Sequence, residues 1–236
     1  MMKRTIALLL ILISLVSLTA SAEPTRSRWA RVYKHGDREQ PRVAITVDDW
    51  YYPEQWLPQF MAVAEEYGVK MTLYPSGFNL KVEDRELWQS ALDAGHEIGS
   101  HFFQHKKLTE RSYGQITSDL NRYQKRLDEV LGYHYEFLTV RPPFGAGAGD
   151  GGGGMIGRWL HSAGFDHIIT WDMDNTKDLD KALKTIKNGS IILMHANKHD
   201  LGFYKKLMEA LKDRNYEYVT ITELLNITSR YYYTAE

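Results

Sequence analysis

Short apolar runs alternate with longer amphipathic stretches along most of the chain. The runs have the length and the β-branched content of strands, and they lie at residues 43–47, 69–74, 96–100, 137–140, 167–171, 190–194 and 216–221. Between them, apolar residues recur every three or four positions and predict helices near residues 56–67, 84–94, 110–131, 155–163, 179–186 and 201–213, and after 222. We place the N-cap of the longest helix at Thr109. Strict alternation predicts an α/β fold with a parallel sheet and outer helices.

Polar residues follow several of these predicted strands directly. The clusters are Asp48-Asp49, His101 with His105, Arg141, Asp172 with Asp174, and His195. In a barrel of parallel strands the carboxyl ends share one face, and active sites form on that face. About seven strand–helix units with polar residues at this end predict a distorted (β/α) barrel with one site.

The aspartate pair and the two histidines together predict a metal site. Two adjacent carboxylates cannot both stay charged cheaply without a cation or a proton. His101 and His105 are four residues apart and can direct their imidazoles to one point. The chain has no cysteine, so the ligands are nitrogen and oxygen, which suit zinc and its first-row neighbours. One carboxylate is left over for catalysis.

In this order the motifs resemble a known family. They are Asp48-Asp49, Ser100-His101-x-x-x-His105, Arg141-Pro142-Pro143-Phe144-Gly145, Trp171-Asp172-x-Asp174 and Leu193-Met194-His195. The combination resembles the polysaccharide deacetylases, also called the NodB-homology group or carbohydrate esterase family 4, over about residues 42–225. The resemblance implies a distorted (β/α) barrel and metal-dependent removal of acetyl groups from a sugar polymer.

The resemblance also implies roles for individual side chains. Asp49, His101 and His105 would bind the metal, most often zinc or cobalt. Asp48 would be the general base and His195 the general acid.

The other implied residues orient the base or contact the substrate. Arg141 orients the base with help from Asp174, and the backbone N–H of Phe144, next to Pro143, completes the oxyanion hole. Trp50 and Tyr51 follow the aspartates, and their aromatic faces are candidates for stacking on sugar rings, with packing at the barrel mouth as the alternative. Two positions depart from the family pattern: Trp50 replaces the usual glycine, and Leu179 rather than Trp follows Asp178.

The resemblance implies an acetylated glycan as partner, with N-acetyl groups of peptidoglycan or of a chitin-like polymer as the preferred substrate. One alternative is an esterase that removes O-acetyl groups from a polysaccharide such as xylan. Another is a catalytically silent sugar-binding barrel.

Gly147, Gly149 and Gly152 also fit a dinucleotide-binding fingerprint, but residues 142–146 separate them from the preceding strand. We interpret residues 145–154 as a mobile loop beside the site.

Composition and the N-terminus indicate where the chain acts. The chain has 29 Lys+Arg against 30 Asp+Glu, which argues against a nucleic-acid partner held by net charge. Residues 1–22 have the pattern of a secretory signal peptide, with an apolar run from Ile6 to Leu18 before Ala20-Ser21-Ala22. An uncleaved anchor is the alternative, but the run is shorter than the roughly 20 residues of a membrane span. We therefore expect an exported protein, with a lead-in at 23–42 and the catalytic domain at 43–236.

Overall fold

Strands and helices alternate through the part of the chain that the computed structural model describes, residues 25–149 and 154–234. The strands are β1 (Thr25–Arg26), β2 (Arg31–Tyr33), β3 (Arg42–Asp49), β4 (Met71–Pro75), β5 (Glu97–Ile98), β6 (His167–Ile169), β7 (Ile191–His195), β8 (Glu217–Tyr218) and β9 (Tyr233–Thr234). The helices are α1 (Pro53–Glu66), α2 (Arg85–Asp93), α3 (Tyr113–Leu131), α4 (Met155–Ser162), α5 (Leu179–Thr185), α6 (Lys198–Leu211) and α7 (Ile221–Leu225). The predicted signal peptide and residues 150–153 of the glycine-rich loop lie outside the described residues.

The central sheet is parallel, as predicted for an α/β fold. Its strand order is β5-β4-β3-β7, and β8 pairs with the first residues of β3. Residues 43–47 of β3 are fully buried, which explains their unbroken apolar character apart from Thr46. The register places Asp48 of β3 beside His195 of β7, so two of the predicted polar clusters meet at the same end of the sheet.

Single bridges extend the pairing beyond this sheet. Val140 bridges Ser100 on one side and Ile168 of β6 on the other, and Met173 bridges Ile192 of β7. These pairings are consistent with the predicted distorted barrel. The strand predicted at 137–140 is reduced to the bridge at Val140, and the prolines that follow Arg141 have no N–H to continue a ladder beyond it.

The segment predicted as a lead-in contributes two short strands, β1 and β2. β2 pairs with β6 in parallel, and β1 pairs with β9 near the end of the chain in antiparallel orientation.

None of the helices within 25–149 and 154–234 combines the length and apolar character needed to cross a membrane.

The N-terminus of α3 differs from the prediction. Its N-cap is Ser112 rather than Thr109, because residues 108–110 form a separate 3-10 turn. The Ser112 hydroxyl accepts from the Gln115 N–H, and the Gln115 side chain accepts from the Ser112 N–H. This reciprocal capping box satisfies two N–H groups that the first turn leaves free. The helix ends at Leu131, and Gly132 follows as its C-cap with a left-handed φ of 81°.

Candidate active site

The turn after β3 directs two consecutive carboxylates to one side. Side chains of neighbouring strand residues normally point to opposite faces of a sheet. Here Asp49 has a φ of 75° and Trp50 a φ of 58°, which ends the strand conformation. The Asp49 carbonyl accepts from the Ser76 N–H at 3.2 Å and from Asn79 Nδ2 at 2.9 Å, which fixes the turn. As a result Asp48 and Asp49 both lie beside His101.

Two imidazoles converge on Asp49. Its Oδ1 atom lies 3.5 Å from Nε2 of His101 and 3.2 Å from Nε2 of His105. Nδ1 of His101 donates to the carbonyl oxygen of Arg141 at 2.8 Å, which leaves the Nε2 lone pair directed at Asp49. Burial lowers the pKa of His101, although the charges of Asp48 and Asp49 act in the opposite direction. The neutral imidazole is the form that binds a metal.

A buried carboxylate on α3 holds the loop that carries these histidines. Asp119 is 2% exposed, and its Oδ1 accepts from the N–H of Phe103 at 2.6 Å and of Gln104 at 3.3 Å. Arg111 donates to its other oxygen at 2.8 Å. Asp119 is not among the site residues predicted from the sequence. The available signal was an acidic residue within the apolar stripe of an amphipathic helix.

The geometry of Asp49, His101 and His105 fits a divalent metal. Each offers one ligand atom, and these atoms lie within 4.8 Å of one another. Oδ1 of Asp49 is buried and has no hydrogen-bond partner among the described residues. A buried carboxylate oxygen without a donor is costly unless a cation binds it. One carboxylate and two imidazoles form a ligand set typical of catalytic zinc, which keeps further positions open.

A buried arginine holds the second carboxylate. Arg141 is fully buried, and its NH1 atom donates to Asp48 Oδ1 at 2.8 Å and to Thr46 Oγ1 at 2.7 Å. Its guanidinium also lies 4.3 Å from the ring centroid of Tyr74. The predicted helper Asp174 instead accepts from the indole Nε1 of Trp171 at 3.0 Å. The prediction that Asp174 supports Arg141 is therefore wrong, because this carboxylate is bound to Trp171, three residues away in the same loop.

The carboxylate beside His195 is Asp200, in the first turn of α6. Its Oδ2 accepts from the His195 N–H at 2.7 Å and lies 3.4 Å from His195 Nδ1. The hydrogen bond that His195 donates to Asp200 raises the pKa of His195, against the effect of burial, and the charges of Asp48 and Asp49 add to the increase. The Asn197 side chain caps α6 by accepting from the Asp200 N–H at 2.9 Å, which fixes the position of this carboxylate.

The predicted substrate-contacting residues divide into exposed and buried ones. Phe144 is 61% exposed and its ring centroid lies 4.5 Å from that of His105, and Tyr51 is 44% exposed. Trp50 is fully buried, and its ring packs edge-on against Phe60. The prediction of a sugar platform at Trp50 is therefore wrong. Pro143 is also buried.

Backbone strain is concentrated at this site. Six non-glycine residues in the described ranges have positive φ. Two of them, Asn215 and Asn226, follow helices, where the left-handed conformation is common. The other four are Asp49, Trp50, Phe102 and Phe144. Each such residue costs on the order of 1–3 kcal/mol and persists only where the surroundings enforce it, which is typical of functional sites.

Comparison with known proteins identifies the family. The model of the polysaccharide deacetylase family matches residues 35–150, which include the aspartate pair, both histidines and the segment Arg141–Gly145. The chain belongs to the polysaccharide deacetylase family. The sequence resemblance is therefore confirmed.

Curated relatives of this family member extend the similarity beyond that region. The peptidoglycan-N-acetylglucosamine deacetylase PgdA of Listeria monocytogenes is 28% identical over 194 residues, which is 78% of this chain but 38% of that protein. A peptidoglycan-N-acetylglucosamine deacetylase of Bacillus cereus is 26% identical, with 78% of this chain and 87% of that protein aligned.

Solved structures confirm the fold of this family member. Bacillus subtilis PdaA, a family 4 carbohydrate esterase, superposes with a TM-score of 0.68 at 21% identity and covers 82% of this chain and 84% of that one. A pseudoenzyme of the same esterase family from Bacillus anthracis superposes with a TM-score of 0.70 at 21% identity, covering 82% of this chain and 68% of that one. A pseudoenzyme and an esterase thus share one fold with this chain.

Proposed function

We propose that this chain is an exported, metal-dependent deacetylase that removes N-acetyl groups from a glycan, either peptidoglycan or a chitin-like polymer. The observation that carries the proposal is a second carboxylate, Asp48, which lies outside the ligand cluster of Asp49, His101 and His105. Arg141 holds it beside that cluster. The peptidoglycan deacetylases among the relatives support the substrate, and the predicted signal peptide supports export.

Asp49, His101 and His105 would hold the metal, with zinc or cobalt as the preferred ions. When bound, the cation would supply Lewis acidity toward the acetyl carbonyl and the attacking water. Nδ1 of His101 stays protonated on the Arg141 carbonyl, so this ring presents only Nε2 to the site. The backbone of the Asp49 turn keeps the carboxylate oriented toward both rings.

Asp48 is placed to take the proton from water. Its Oδ1 is bound by Arg141 at 2.8 Å, which leaves Oδ2 to accept a proton. This oxygen lies 3.9 Å from His101 Nε2, on the same side as the ligand cluster. A positioned carboxylate that removes the water proton creates the nucleophile for attack on the acetyl carbon.

His195 is placed to protonate the leaving nitrogen. An amine is expelled from a tetrahedral intermediate only after it gains a proton. His195 lies beside Asp48 in the strand register, and its hydrogen bond with Asp200 favours the protonated ring. The backbone N–H of Phe144 would donate to the oxyanion on the acetyl carbon.

Acetate release from N-acetylated oligosaccharides tests this function. With zinc or cobalt added, the full chain is expected to release acetate from N-acetylglucosamine oligomers and from peptidoglycan fragments. Release from O-acetylated xylan alone would instead identify an esterase. Glycan binding that is unchanged by chelation, with no acetate released from any substrate, would identify a silent sugar-binding barrel and overturn the proposal.

Metal binding is expected to be visible in the stability of the protein. A ligand at 100 times its Kd that binds only the folded state raises the free energy of unfolding by about 2.7 kcal/mol. Zinc should therefore raise the Tm of the wild type, and His105→Ala should abolish most of this shift. His134→Ala is the matched control, because that ring is exposed and contacts Asp128 away from the cluster. Equal shifts in both variants would contradict the metal assignment.

The pH dependence of kcat/KM should report the contact between His195 and Asp200. Because Asp200 raises the pKa of His195, the ring keeps its proton to higher pH than an isolated histidine. Asp200→Asn removes that charge, so the pKa should fall and the alkaline limb of the profile should move to lower pH. Asp213→Asn, at an exposed position after α6, is the control and should leave the limb in place. If the alkaline limb of kcat/KM is unchanged in Asp200→Asn, the assignment of that limb to His195 as the general acid is wrong.

A further inference from the structure

A cavity lies directly beside the metal ligand His105. Its volume is about 390 Å³, and its wall consists of Tyr51, Phe78, Phe103, Gln104, His105 and Lys106. This volume is within the range of small-ligand sites. Neither the metal cluster nor the proposed proton transfers use any of these residues other than His105.

Two exposed aromatic rings form one wall of this cavity. Tyr51 and Phe78 are each 44% exposed, and their ring centroids lie 5.9 Å apart in an edge-to-face arrangement. A pair of large rings in contact at the surface is characteristic of a binding surface rather than of packing. Flat aromatic faces beside a carbohydrate-processing site suit the apolar face of a sugar ring.

The cavity wall also carries a cationic side chain, Lys106. Lys106 is exposed, and no carboxylate contributes to the cavity wall. Several other lysines, such as Lys70 and Lys181, form ion pairs, whereas Lys106 and Lys107 have no ion-pair partner in the described part of the chain. The guanidinium of Arg122 lies 4.1 Å from the ring centroid of Phe103, which adds positive charge behind the same wall.

A second aromatic ring, Phe144, contacts His105 and also has a lysine nearby. Its ring packs against Phe144 at 4.5 Å, and Nζ of Lys107 lies 5.9 Å from the Phe144 ring centroid. Lys106 and Lys107 follow the metal ligand in sequence, and the Lys106 N–H is held by the Gln104 carbonyl at 2.8 Å. Two lysines therefore lie next to a ligand of the proposed metal site, close to where substrate must bind.

We propose that this cavity binds a sugar residue that carries a carboxylate, next to the sugar that is deacetylated. The ring of that sugar stacks on Tyr51 and Phe78, and its carboxylate pairs with Lys106. The site therefore selects acidic glycans over neutral ones. This inference rests on the proposed deacetylase function and extends it to the neighbouring sugar.

The first test compares an acidic glycan with its neutral derivative. The substrates are oligosaccharides of alternating N-acetylglucosamine and N-acetylmuramic acid, with the lactyl carboxylate either free or converted to an amide. Wild type should have the higher kcat/KM on the acid, and Lys106→Gln should reduce the acid-to-amide ratio by about threefold, the effect of one exposed charge pair. Lys184→Gln is the matched control, because Lys184 is another exposed lysine without an ion pair among the described residues. Its ratio should equal that of wild type.

The second test removes the aromatic wall. Tyr51→Ala should lower kcat/KM on both the acid and the amide by about tenfold, in line with the loss of an aromatic contact. Tyr133→Ala removes another exposed tyrosine, at the end of α3, and should have no such effect. A third substrate carries a stem peptide joined to the lactyl group as an amide, so its only carboxylates are those of the peptide. If Lys106→Gln lowers kcat/KM on this substrate but leaves the acid-to-amide ratio of the other two at the wild-type value, the lysine pairs with the peptide and the acidic sugar subsite is overturned.

Failure of this inference differs from failure of the proposed function. Equal rates on acid and amide, with no effect of Lys106→Gln on their ratio, would overturn the acidic subsite while the deacetylase stands. If neither substrate releases acetate, the deacetylase fails, and calorimetric binding of the same two glycans to wild type and Lys106→Gln decides the subsite. Tighter binding of the acid that is lost in Lys106→Gln supports it, and equal binding overturns it.

Discussion

Replacement of Asp48 by asparagine is expected to abolish deacetylation while zinc remains bound. The variant keeps the shape of the side chain and removes the group that accepts the water proton. Loss of a general base typically lowers kcat by about 10²- to 10⁴-fold. The measurement is acetate release at saturating glycan, together with the zinc content of the purified variant.

Asp174→Asn is the matched control for this prediction. Its carboxylate contacts the Trp171 indole rather than Arg141, so the variant should keep kcat within a few-fold of wild type. If Asp48→Asn retains activity, Asp48 is not the base. If the variant loses zinc, Asp48 is a ligand and the division of roles between the two aspartates must be reversed.

Arg141→Met is expected to be the most destabilising change at the site. Arg141 is fully buried and Asp48 is 3% exposed, so removal of the guanidinium leaves a carboxylate buried without its partner. Breaking a buried pair from one side costs about 3–5 kcal/mol. Chemical denaturation should show this loss in the free energy of unfolding, and acetate release should fall as well, because the base is no longer oriented.

Arg38→Met provides the comparison. Arg38 pairs with Asp172 at 2.7 Å, but its side chain is 27% exposed, and water can replace the lost contact. Exposed pairs contribute about 0–1 kcal/mol, so this variant should be clearly more stable than Arg141→Met. Equal losses would mean that the Arg141–Asp48 pair is not the source of the stability.

These experiments matter because the fold alone does not establish activity. A pseudoenzyme superposes on this chain with a TM-score of 0.70, the same fold as the family's esterases. The argument for catalysis here is therefore the set of side chains. They are the carboxylate of Asp48 outside the ligand cluster, three ligand atoms within 4.8 Å of one another, and His195 with a raised pKa. Each can be removed singly, and each removal has a distinct signature.

The order of strands and helices and the end of the sheet that carries the site followed from the sequence. Apolar runs of strand length must be buried, and helical spacing of apolar residues requires a surface to pack on, so their alternation predicts a parallel sheet. Polar residues at the ends of those runs predict that Asp49, His101 and His105 meet, and the structure brings them together. These inferences depend only on short-range pattern and on the geometry of parallel strands.

Only the tertiary structure decided which partner each of these groups has. Asp200 contacts His195, and Asp174 contacts Trp171 rather than Arg141. Asp119 holds the histidine loop, and Trp50 is packed into the core instead of facing a sugar. Asp119 and the loop it binds are joined through contacts 15 and 16 residues apart, and Arg141 reaches Thr46 across 95 residues. The physical reason is that a hydrogen bond depends on the positions of two atoms in space. Residue type and local spacing fix which elements form, whereas partners distant in sequence, and left-handed turns at residues such as Asp49, are set by how those elements pack.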